Sequence, residues 1–258
     1  MVSLKNKVVF ITGASSGIGK ACAEAFASKG ANLILCARRI ERLTELKKFL
    51  TRRYKVKIFV AQLDVRKLRD VKKVVSSLPD QWKQIDILLN NAGLARGLNK
   101  VYDADITHWE EMIDTNVKGL LYVTRAVLPQ MVERKHGHII NIGSTAGHEV
   151  YLMGNVYCAT KFAVKALTQS IRADVLDKNI RVTSVDPGMV LTEFAKVRFS
   201  GDENRAKKVY DGVTPLSPKD VAEAVLFAAS RPANVNINEI ILTPICQASS
   251  MQIYRNNV

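Results

Sequence analysis

A tyrosine and a lysine four residues apart, Tyr157 and Lys161, have the residue types and spacing of a proton-transfer site. On a helix such residues share one face, so the phenol oxygen and the ammonium can approach one position. Because a cation favours phenolate, we expect Lys161 to lower the pKa of Tyr157 from about 10 toward neutrality. Ser144 ends a predicted strand earlier in the chain, where parallel sheets place ligand-binding residues. Alone, Tyr-x-x-x-Lys is more typical of a solvated pair on a helix surface. Whether the pair is functional has to be inferred from the other motifs of the chain.

A glycine cluster lies near the N-terminus, in Thr12-Gly-Ala-Ser-Ser-Gly-Ile-Gly19, between a predicted strand and a predicted helix. Positions without side chains let the backbone turn and present amide hydrogens to a pyrophosphate at the helix N-terminus. The spacing is that of neither a Walker loop nor Gly-x-Gly-x-x-Gly, and a tight turn without a ligand is the alternative. The predicted dinucleotide contacts from this turn are Gly13, Ser15, Ser16, Gly17, Ile18 and Gly19.

Two arginines end the second predicted strand, where an acidic residue usually holds a cofactor that has a free ribose 2′-hydroxyl. A guanidinium offers donors to a phosphate and no acceptor to a hydroxyl. Arg38 and Arg39 therefore predict a 2′-phosphate, and with it the cofactor NADP(H). The alternative is that both arginines merely begin the next helix, exposed to solvent.

Apolar strand-like runs alternate with helical patterns along the chain, which is typical of a doubly wound α/β fold. Strands as uniformly apolar as these are expected to be buried on both faces of a parallel sheet. A long helical stretch over residues 107–133 is expected to kink at Pro129. We predict a Rossmann-like parallel sheet of about seven strands, over residues 8–11, 33–36, 56–63, 85–89, 138–142, 180–185 and 240–242.

The chain has 258 residues, of which 47% are hydrophobic, and this suffices for one large core. We expect a single dinucleotide-binding catalytic domain over residues 1–258. Residues 188–215, here called the lid, break the alternation and are expected to cover a substrate, or else to be a floppy loop. No apolar run is long enough for a membrane helix and no signal peptide is recognisable, so we expect no membrane association. Four cysteines without a Cys-x-x-Cys pair indicate reduced thiols in the cytoplasm.

The formal net charge of +14 is the one unusual feature of the composition, because it can attract nucleic acid and other polyanions. The basic residues form no run interleaved with aromatic residues, so we expect a solvated surface and no specific nucleic-acid partner. A nucleotide-sensing or polyanion-binding protein on the same scaffold is the alternative from another functional class.

Two other chemistries find no support in the motifs. A serine hydrolase elbow around Ser144 needs glycines where Ile142 and Ala146 stand. The four histidines include no His-Glu-x-x-His helix, and we therefore expect no metal.

The order and spacing of several motifs resemble the short-chain dehydrogenase/reductase family across the whole chain. Longer segments, among them Met112-Ile-Asp-Thr-Asn116 and Val197-Arg-Phe199, are similar to the NADP-dependent 3-hydroxy acid dehydrogenases, which oxidise serine and L-allo-threonine. The resemblance implies an oxidoreductase acting on a small 3-hydroxy acid, with other small ketones or aldehydes as alternative substrates. The family motifs are the glycines at 13, 17 and 19, Asn90-Asn-Ala-Gly93, Asn116, Ser144, Tyr157, Lys161 and Pro187-Gly188.

The resemblance also implies an assembly and further cofactor contacts. The expected assembly is a homotetramer, in which residues 244–251 close a neighbour's pocket. Asn90 is expected either to contact the ligand or to tie neighbouring strands together. The implied contacts are Asp64 and Val65 at the adenine, Asn91, Ala92 and Gly93 along the adenosine, Pro187, Gly188, Val190 and Thr192 over the nicotinamide and pyrophosphate, and Tyr157 and Lys161.

For the reaction, we expect Tyr157 to act as general base in alcohol oxidation and as general acid in the reverse direction. Ser144 is expected to hydrogen-bond the substrate oxygen, and Lys161 to bind the nicotinamide ribose. Asn116 is expected to order a water that feeds a proton relay to Lys161, or else to be satisfied inside a kinked helix.

A 3-hydroxy acid carries a carboxylate, which needs a cation when it leaves water. Arg96, after the Asn-Asn-Ala-Gly turn, and Arg198, in the lid, are the candidates, with solvated side chains as the alternative. The pair Val190-Leu191 stands where the resembled subgroup has two glycines, and this bulkier pair beside the pocket leaves the precise substrate open.

Overall fold

The computed structural model describes residues 2–256 and contains one parallel sheet. The order of its strands is β3-β2-β1-β4-β5-β6-β7, which confirms the predicted seven-stranded, doubly wound fold. The order reverses direction between β1 and β4, and in such sheets ligands bind outside the carboxyl ends of the strands at this point. The strands are β1 (Val8–Thr12), β2 (Asn32–Ala37), β3 (Ile58–Gln62), β4 (Ile87–Asn90), β5 (Gly137–Ile142), β6 (Ile180–Pro187) and β7 (Glu239–Leu242).

Both faces of the sheet are covered, as the apolar strands predicted. In β1, Val9 and Ile11 pack into one core cluster, whereas Val8 and Phe10 pack into a second cluster on the other side. Every residue of β1 is buried, because alternate side chains of a strand point to opposite faces and both faces carry helices. The strands are thereby held rigidly, and their carboxyl ends can position functional residues.

Ten α-helices connect and cover the strands of the described chain. The first helix ends shortly before Gly30, whose φ of 78° lies in the left-handed region that glycine adopts without strain. The helices are α1 (Gly17–Ser28), α2 (Ile40–Tyr54), α3 (Leu68–Ser76), α4 (Asp80–Lys83), α5 (Ile106–Ile113), α6 (Leu120–Arg134), α7 (Asn155–Asp174), α8 (Phe194–Arg198), α9 (Glu203–Lys208) and α10 (Pro218–Ala229). Within residues 2–256, none of them combines the length and the apolar character that crossing a bilayer requires.

The helical stretch predicted over residues 107–133 is interrupted around Asn116, where a kinked helix was one of the two expectations. A π-helical turn, Asp114–Gly119, separates α5 from α6, while Pro129 lies inside α6. Gly119 allows the close approach of this turn to the end of β3, since a Cβ there would lie 2.7 Å from a methyl group of Val65. Wide turns of this kind often mark functional sites.

The lid contains structure of its own. Val190 forms an isolated parallel bridge with Leu216, and the short helices α8 and α9 lie between them. The backbone nitrogen of Gly97 donates to the carbonyl of Arg198 at 2.8 Å, which fastens the lid to the segment that follows β4. This part of the chain is therefore anchored at both ends and in its middle.

Candidate active site

A cleft of about 320 Å³ opens at the carboxyl ends of β1, β4, β5 and β6, at the point where the strand order reverses. It is the position expected for a ligand in a doubly wound sheet. The lid contributes Glu193, Phe194 and Val197 to its wall, none of which the sequence had indicated. The predicted residues that line it are Gly13, Ser15, Ser16, Gly17, Ile18, Arg38, Arg39, Asp64, Val65, Asn91, Ala92, Gly93, Ser144, Tyr157, Lys161, Pro187, Gly188, Val190 and Thr192.

The N-terminus of α1 fits a pyrophosphate. Gly17 has a φ of 51°, and no side chain caps the first turn of the helix. The free amide hydrogens and the positive end of the helix dipole form an anion site. The hydroxyl of Ser16 does not cap the helix and accepts a hydrogen bond from Arg39 at 2.8 Å.

Gly19 is buried and is not among the residues that line the cleft, so the structure gives its predicted cofactor contact no support. A Cβ at this position would lie 2.5 Å from the side-chain nitrogen of Asn91 and from the carbonyl oxygen of Gly13. That Asn91 nitrogen donates to the carbonyls of Thr12 and Gly13 at 2.9 and 3.2 Å. The amide of Asn91 thus ties the end of β4 to the glycine turn, and contacts to a ligand are left to the backbone here.

The side chain of Asn90 connects β4 to neighbouring elements of the fold. Its side-chain nitrogen donates to Thr124 and Asn141, both at 2.9 Å, and the residue is 5% exposed. Of the two interpretations of Asn90, this arrangement favours the tie between strands and not a ligand contact.

The two arginines after β2 line the cleft, and each lies beside an acidic residue. Arg39 donates to Ser15, Ser16 and the carboxylate of Glu193, the last at 2.9 Å. Arg38 is half exposed, and its guanidinium lies 3.8 Å from the carboxylate of Glu111. Two guanidinium groups and two hydroxyls around one opening form a set of donors suited to a phosphate.

Asp64 departs from the expectation that its carboxylate accepts from an adenine amine. Both carboxylate oxygens are engaged by the neighbouring Arg66, whose Nε and Nη2 donate at 2.9 and 2.6 Å. The hydrogen bond from Arg66 lowers the pKa of Asp64. The carboxylate therefore holds Arg66 in place, and Arg66 also reaches Glu111 at 3.3 Å.

Ser144, Tyr157 and Lys161 come together as predicted. Tyr157 and Lys161 are 9% and 7% exposed, and the Lys161 nitrogen lies 5.9 Å from the centre of the Tyr157 ring. Lys161 donates to the carbonyl of Ile142 at the end of β5, at 2.9 Å. The hydroxyl of Ser144 accepts a hydrogen bond from the backbone of Ala146 at 3.1 Å.

The electrostatics of Tyr157 differ from the sequence expectation. Burial raises the pKa of Tyr157 well above its usual range, and the effects that oppose burial come from Arg198 and from the Ser144 hydroxyl. Burial also lowers the pKa of Lys161 to about 8, which weakens this lysine as a source of positive charge. The protein alone thus favours the protonated phenol, because desolvation disfavours the charged form of both residues.

Asn116 lies in the π-helical turn with its amide fully engaged. The side-chain oxygen accepts from the backbone nitrogen of Leu94, and the side-chain nitrogen donates to the carbonyl of Leu94 and to Thr160, at 2.9, 2.8 and 3.0 Å. This pattern favours the alternative of an irregular helix satisfied internally, and the relay water stays a prediction.

The two arginines considered for a substrate carboxylate have different surroundings. Arg96 is paired with Glu111 at 2.6 Å and donates to the lid carbonyl of Val197 at 2.7 Å, so its donors are already used. Arg198 lies over the Tyr157 ring, 5.1 Å from its centre, and donates to the hydroxyl of Tyr151 at 2.6 Å. Its buried Nε has no hydrogen-bond partner among the described residues. Arg198 is therefore the better candidate of the two.

The fold brings together three side chains that could bind a metal, although no sequence motif predicted a metal site. Ligand atoms of His148, Asp186 and Glu239 lie within 4.8 Å of one another. The ammonium of Lys165 lies 2.8 Å from Nδ1 of His148 and 4.0 Å from Glu239, so positive charge is already present in this cluster. These three residues are far apart in the sequence, so the group is recognisable only in the folded structure.

Comparison with known proteins agrees with this geometry. Residues 7–203 match the model of the family described as short chain dehydrogenase. The chain is 47% identical over 250 residues to the NADP-dependent 3-hydroxy acid dehydrogenase YdfG of Escherichia coli (strain K12), covering 96% of this chain and 99% of that protein. It is 45% identical to Sulfoacetaldehyde reductase 2 of Chromohalobacter salexigens, covering 94% and 96%. The closed form of serine dehydrogenase complexed with NADP+ superposes with a TM-score of 0.91 at 47% identity, covering 96% and 100% of the chains.

Proposed function

Because this chain belongs to the short-chain dehydrogenase/reductase family, we propose that it is an NADP-dependent oxidoreductase for a small 3-hydroxy acid of the serine or L-allo-threonine type. The product of oxidation is the corresponding 3-oxo acid. The observation that carries the proposal is the position of Arg198 over the ring of Tyr157, with a buried Nε that has no hydrogen-bond partner among the described residues. An acid held by Arg198 would have its hydroxyl-bearing carbon near the phenol.

The chain offers a suitable site for NADP(H). The uncapped first turn of α1 is suited to the pyrophosphate, and Arg38, Arg39 and Ser15 surround the place of a 2′-phosphate. When bound, the cofactor supplies a carbon that accepts the hydride in oxidation and returns it in reduction. The YdfG protein is named for its dependence on NADP, and the similar serine dehydrogenase structure is a complex with NADP+, which supports the same cofactor for this chain.

Tyr157 is the proton-transfer group in this proposal. In reduction, the phenol donates its proton to the carbonyl oxygen as the carbonyl carbon receives hydride, and oxidation reverses both transfers. Burial favours the protonated phenol, which is the form that reduction requires. In oxidation, the phenolate has to form against this burial, and the positive charges of Lys161, Arg198 and the oxidised nicotinamide act together to favour it.

Ser144 and Lys161 assist Tyr157 in this proposal. The hydroxyl of Ser144 hydrogen-bonds the substrate oxygen and stabilises the negative charge that develops there. The ammonium of Lys161, fixed by the carbonyl of Ile142, is placed to bind the cofactor's ribose and to hand protons on. Asn116 shapes the wall behind them by holding the segment at Leu94.

The acid group of the substrate is assigned to Arg198. Tyr151 accepts a hydrogen bond from Arg198, and Phe194, which lines the cleft, packs its ring against that of Tyr157. The sulfonate named in one relative and the carboxylate named in others are both small anions that a guanidinium binds well. Val190 is 9% exposed and lines the cleft, so substrates with a short chain are favoured.

The test is a turnover screen at fixed NADP+ or NADPH. L-serine, L-allo-threonine and 3-hydroxyisobutyrate are compared with small neutral alcohols, and sulfoacetaldehyde is compared with neutral aldehydes and ketones of similar size. A preference for the anionic members of the set supports the proposal. Equal or better turnover of neutral aldehydes and ketones would replace it with a general carbonyl reductase, the alternative function.

We also propose that the chain forms a homotetramer in the cytoplasm. Exposed apolar side chains on α6 and α7, including Leu121 and Phe162, support an interface between copies. All four cysteines, each within the described residues, are free thiols, and three of them are buried, which is compatible with a reducing compartment. Light scattering on the purified enzyme tests the assembly, and a monomer mass at micromolar concentration would overturn it.

A further inference from the structure

Two consecutive residues that follow β4 hold two consecutive carbonyls of the lid. The guanidinium of Arg96 donates from Nη1 to the carbonyl of Val197 at 2.7 Å. The backbone nitrogen of Gly97 donates to the carbonyl of Arg198 at 2.8 Å. Both carbonyls lie at the C-terminal end of α8, where the last carbonyls of a helix lack partners from a following helical turn. The segment after β4 therefore supplies donors to the end of this short helix.

Glu111, on α5, fixes the guanidinium of Arg96. Its Oε2 accepts from Nε at 2.6 Å and its Oε1 from Nη2 at 3.3 Å, so all three nitrogens of the guanidinium have a partner. The two side chains are 21% and 18% exposed, and partial shielding from water strengthens an ion pair. The planar fork of an arginine can bind a carboxylate and a carbonyl at the same time. We call Arg96, Gly97 and Glu111 the clamp.

The backbone of Gly97 takes a conformation that favours glycine. Its φ is 64°, in the left-handed region, and a Cβ there would lie 3.1 Å from the side-chain oxygen of Asn99 and 3.3 Å from Nδ1 of His108. A residue with a side chain would be strained at this position. The hydrogen bond from Gly97 to the lid therefore depends on a turn that this glycine allows.

The clamp holds the part of the lid that carries the guanidinium over Tyr157. The guanidinium carbon of Arg198 lies 5.1 Å from the centre of the Tyr157 ring and 5.2 Å from that of Phe194, at the other end of α8. This helix has five residues, and a helix of little more than one turn is not stable by itself. Its position, and that of the Arg198 side chain, therefore depends on contacts from other segments.

We propose that Arg96, itself held by Glu111, is a positioning residue that fixes the end of α8 and thereby keeps the guanidinium of Arg198 over Tyr157. The inference rests on the proposed function, in which Arg198 binds the anionic group of the substrate. The described residues that line the cleft include neither Arg96 nor Glu111, so both act through the lid and not by contact with a ligand. Arg96 thus serves the acidic substrate indirectly, whereas the sequence had suggested a direct contact.

The first measurement compares acidic and neutral substrates in Arg96→Met. The value of kcat/KM for a 3-hydroxy acid is expected to fall about tenfold through a higher KM, since one hydrogen bond from a charged donor is lost, and that for a neutral ketone should fall far less. Arg96→Lys keeps a cation without the fork and is expected to lose less. Arg134→Met is the matched control, because Arg134 donates to the carbonyl of Ile85 at 2.6 Å away from the cleft wall, and it is expected to match the parent.

The double variant Arg96→Met/Arg198→Met separates positioning from a general structural role. If Arg96 acts through Arg198, its replacement has little further effect once the guanidinium of Arg198 is absent. For the acidic substrate, the double variant is therefore expected to lose no more than about twofold beyond Arg198→Met. A loss equal to the product of the two single losses would overturn the inference.

Backbone amide hydrogen exchange tests the clamp without any substrate. The amide of Gly97, which donates to the carbonyl of Arg198, is expected to exchange at least about tenfold faster in Arg96→Met. Glu111→Gln should act in the same direction by a smaller factor, and it is the second variant if Arg96→Met does not fold. If the parent shows no preference for anionic substrates, the proposed function fails, while faster exchange still supports the clamp. Exchange at Gly97 equal to that of the parent in both variants would overturn the inference and leave the proposed function standing.

Discussion

The guanidinium carbon of Arg198 lies 5.1 Å from the centre of the Tyr157 ring, which brings a residue of the lid over this tyrosine. The same side chain donates to the hydroxyl of Tyr151 and retains a buried Nε that has no partner among the described residues. Arg198 thereby opposes the rise that burial causes in the pKa of Tyr157, and the proposed function gives it the anionic group of the substrate.

Replacing Arg198 by methionine is expected to impair acidic substrates selectively. A desolvated carboxylate that loses its charged partner costs roughly 2–5 kcal/mol, so kcat/KM for a 3-hydroxy acid should fall by at least about 30-fold. The value of kcat/KM for a neutral ketone should fall far less. The matched control is Lys196→Met on the same helix, whose exposed ammonium pairs with Glu203. Equal losses for acidic and neutral substrates would remove Arg198 from acid recognition.

Replacing Arg39 by alanine is expected to weaken NADPH far more than NADH. A charge-assisted hydrogen bond contributes about 1.5–3 kcal/mol, which predicts a loss of roughly 10- to 150-fold in NADPH affinity. Arg42→Ala is the control, because Arg42 binds the same Glu193 at 2.7 Å and does not line the cleft. Fluorescence titration with both cofactors measures the ratio, and an unchanged preference for NADPH would refute the assignment. The corresponding Arg38→Ala variant is expected to behave in the same way.

Glu193→Gln is expected to tighten NADPH binding. The carboxylate of Glu193 pairs with Arg39 and Arg42, and the hydrogen bond from Arg42 contributes most to lowering the pKa of Glu193, so it is ionised near neutral pH. A negative charge at this place repels a 2′-phosphate and competes with it for Arg39. Removing it should improve NADPH affinity about threefold to tenfold, or roughly 1 kcal/mol, and leave NADH unchanged. Weaker binding of NADPH would mean that Glu193 supports the site.

Asn116→Ala is expected to destabilise the fold around the cleft. The substitution leaves the buried backbone nitrogen and carbonyl of Leu94 without partners, at a cost of about 1–3 kcal/mol for each unsatisfied group. Urea unfolding measures this loss. Asn155→Ala is the control, because its amide binds only the exposed carbonyl of Asn99 and the adjacent backbone nitrogen of Val156. Full stability of Asn116→Ala together with low activity would return Asn116 to a direct role in proton transfer.

Reduction is expected to slow as the pH rises through the pKa of Lys161, which is lowered to about 8. The active form carries an ammonium, so activity is complete below this pKa and is lost above it. Tyr157 stays protonated over this range because burial raises its pKa. The pH profile of kcat/KM with NADPH measures this loss, and a profile that stays level to about pH 10, the ordinary range of a lysine, would contradict it.

Local patterns predicted much of the fold and of the site. The strand containing Val9 and Ile11, the glycine turn after it and the helix that places Tyr157 and Lys161 on one face all depend on short-range periodicity and turn chemistry. The predicted strands agree with the observed strands because strand positions also follow from short-range periodicity. The interruption of the helix at Asn116 was only one of two expectations, because its cause is a partner, Leu94, from another segment.

The electrostatics of the site were not predictable from the same patterns. Glu193 reaches Arg39 across 154 residues of chain, and no spacing rule connects them. The expectation that Lys161 lowers the pKa of Tyr157 considered the nearest charge and omitted the burial of both residues. Desolvation depends on what packs against the ring, including Phe194 with ring centres 5.5 Å apart, and that packing exists only in the folded chain.

The most direct measurement is the single-turnover rate of NADPH-dependent reduction in Tyr157→Phe, with NADPH binding measured separately. Phenylalanine keeps the buried ring and removes only the hydroxyl. The rate should fall about 10²- to 10⁴-fold while NADPH still binds, because the general acid is lost. A rate equal to that of the parent enzyme would contradict the role of Tyr157 in proton transfer.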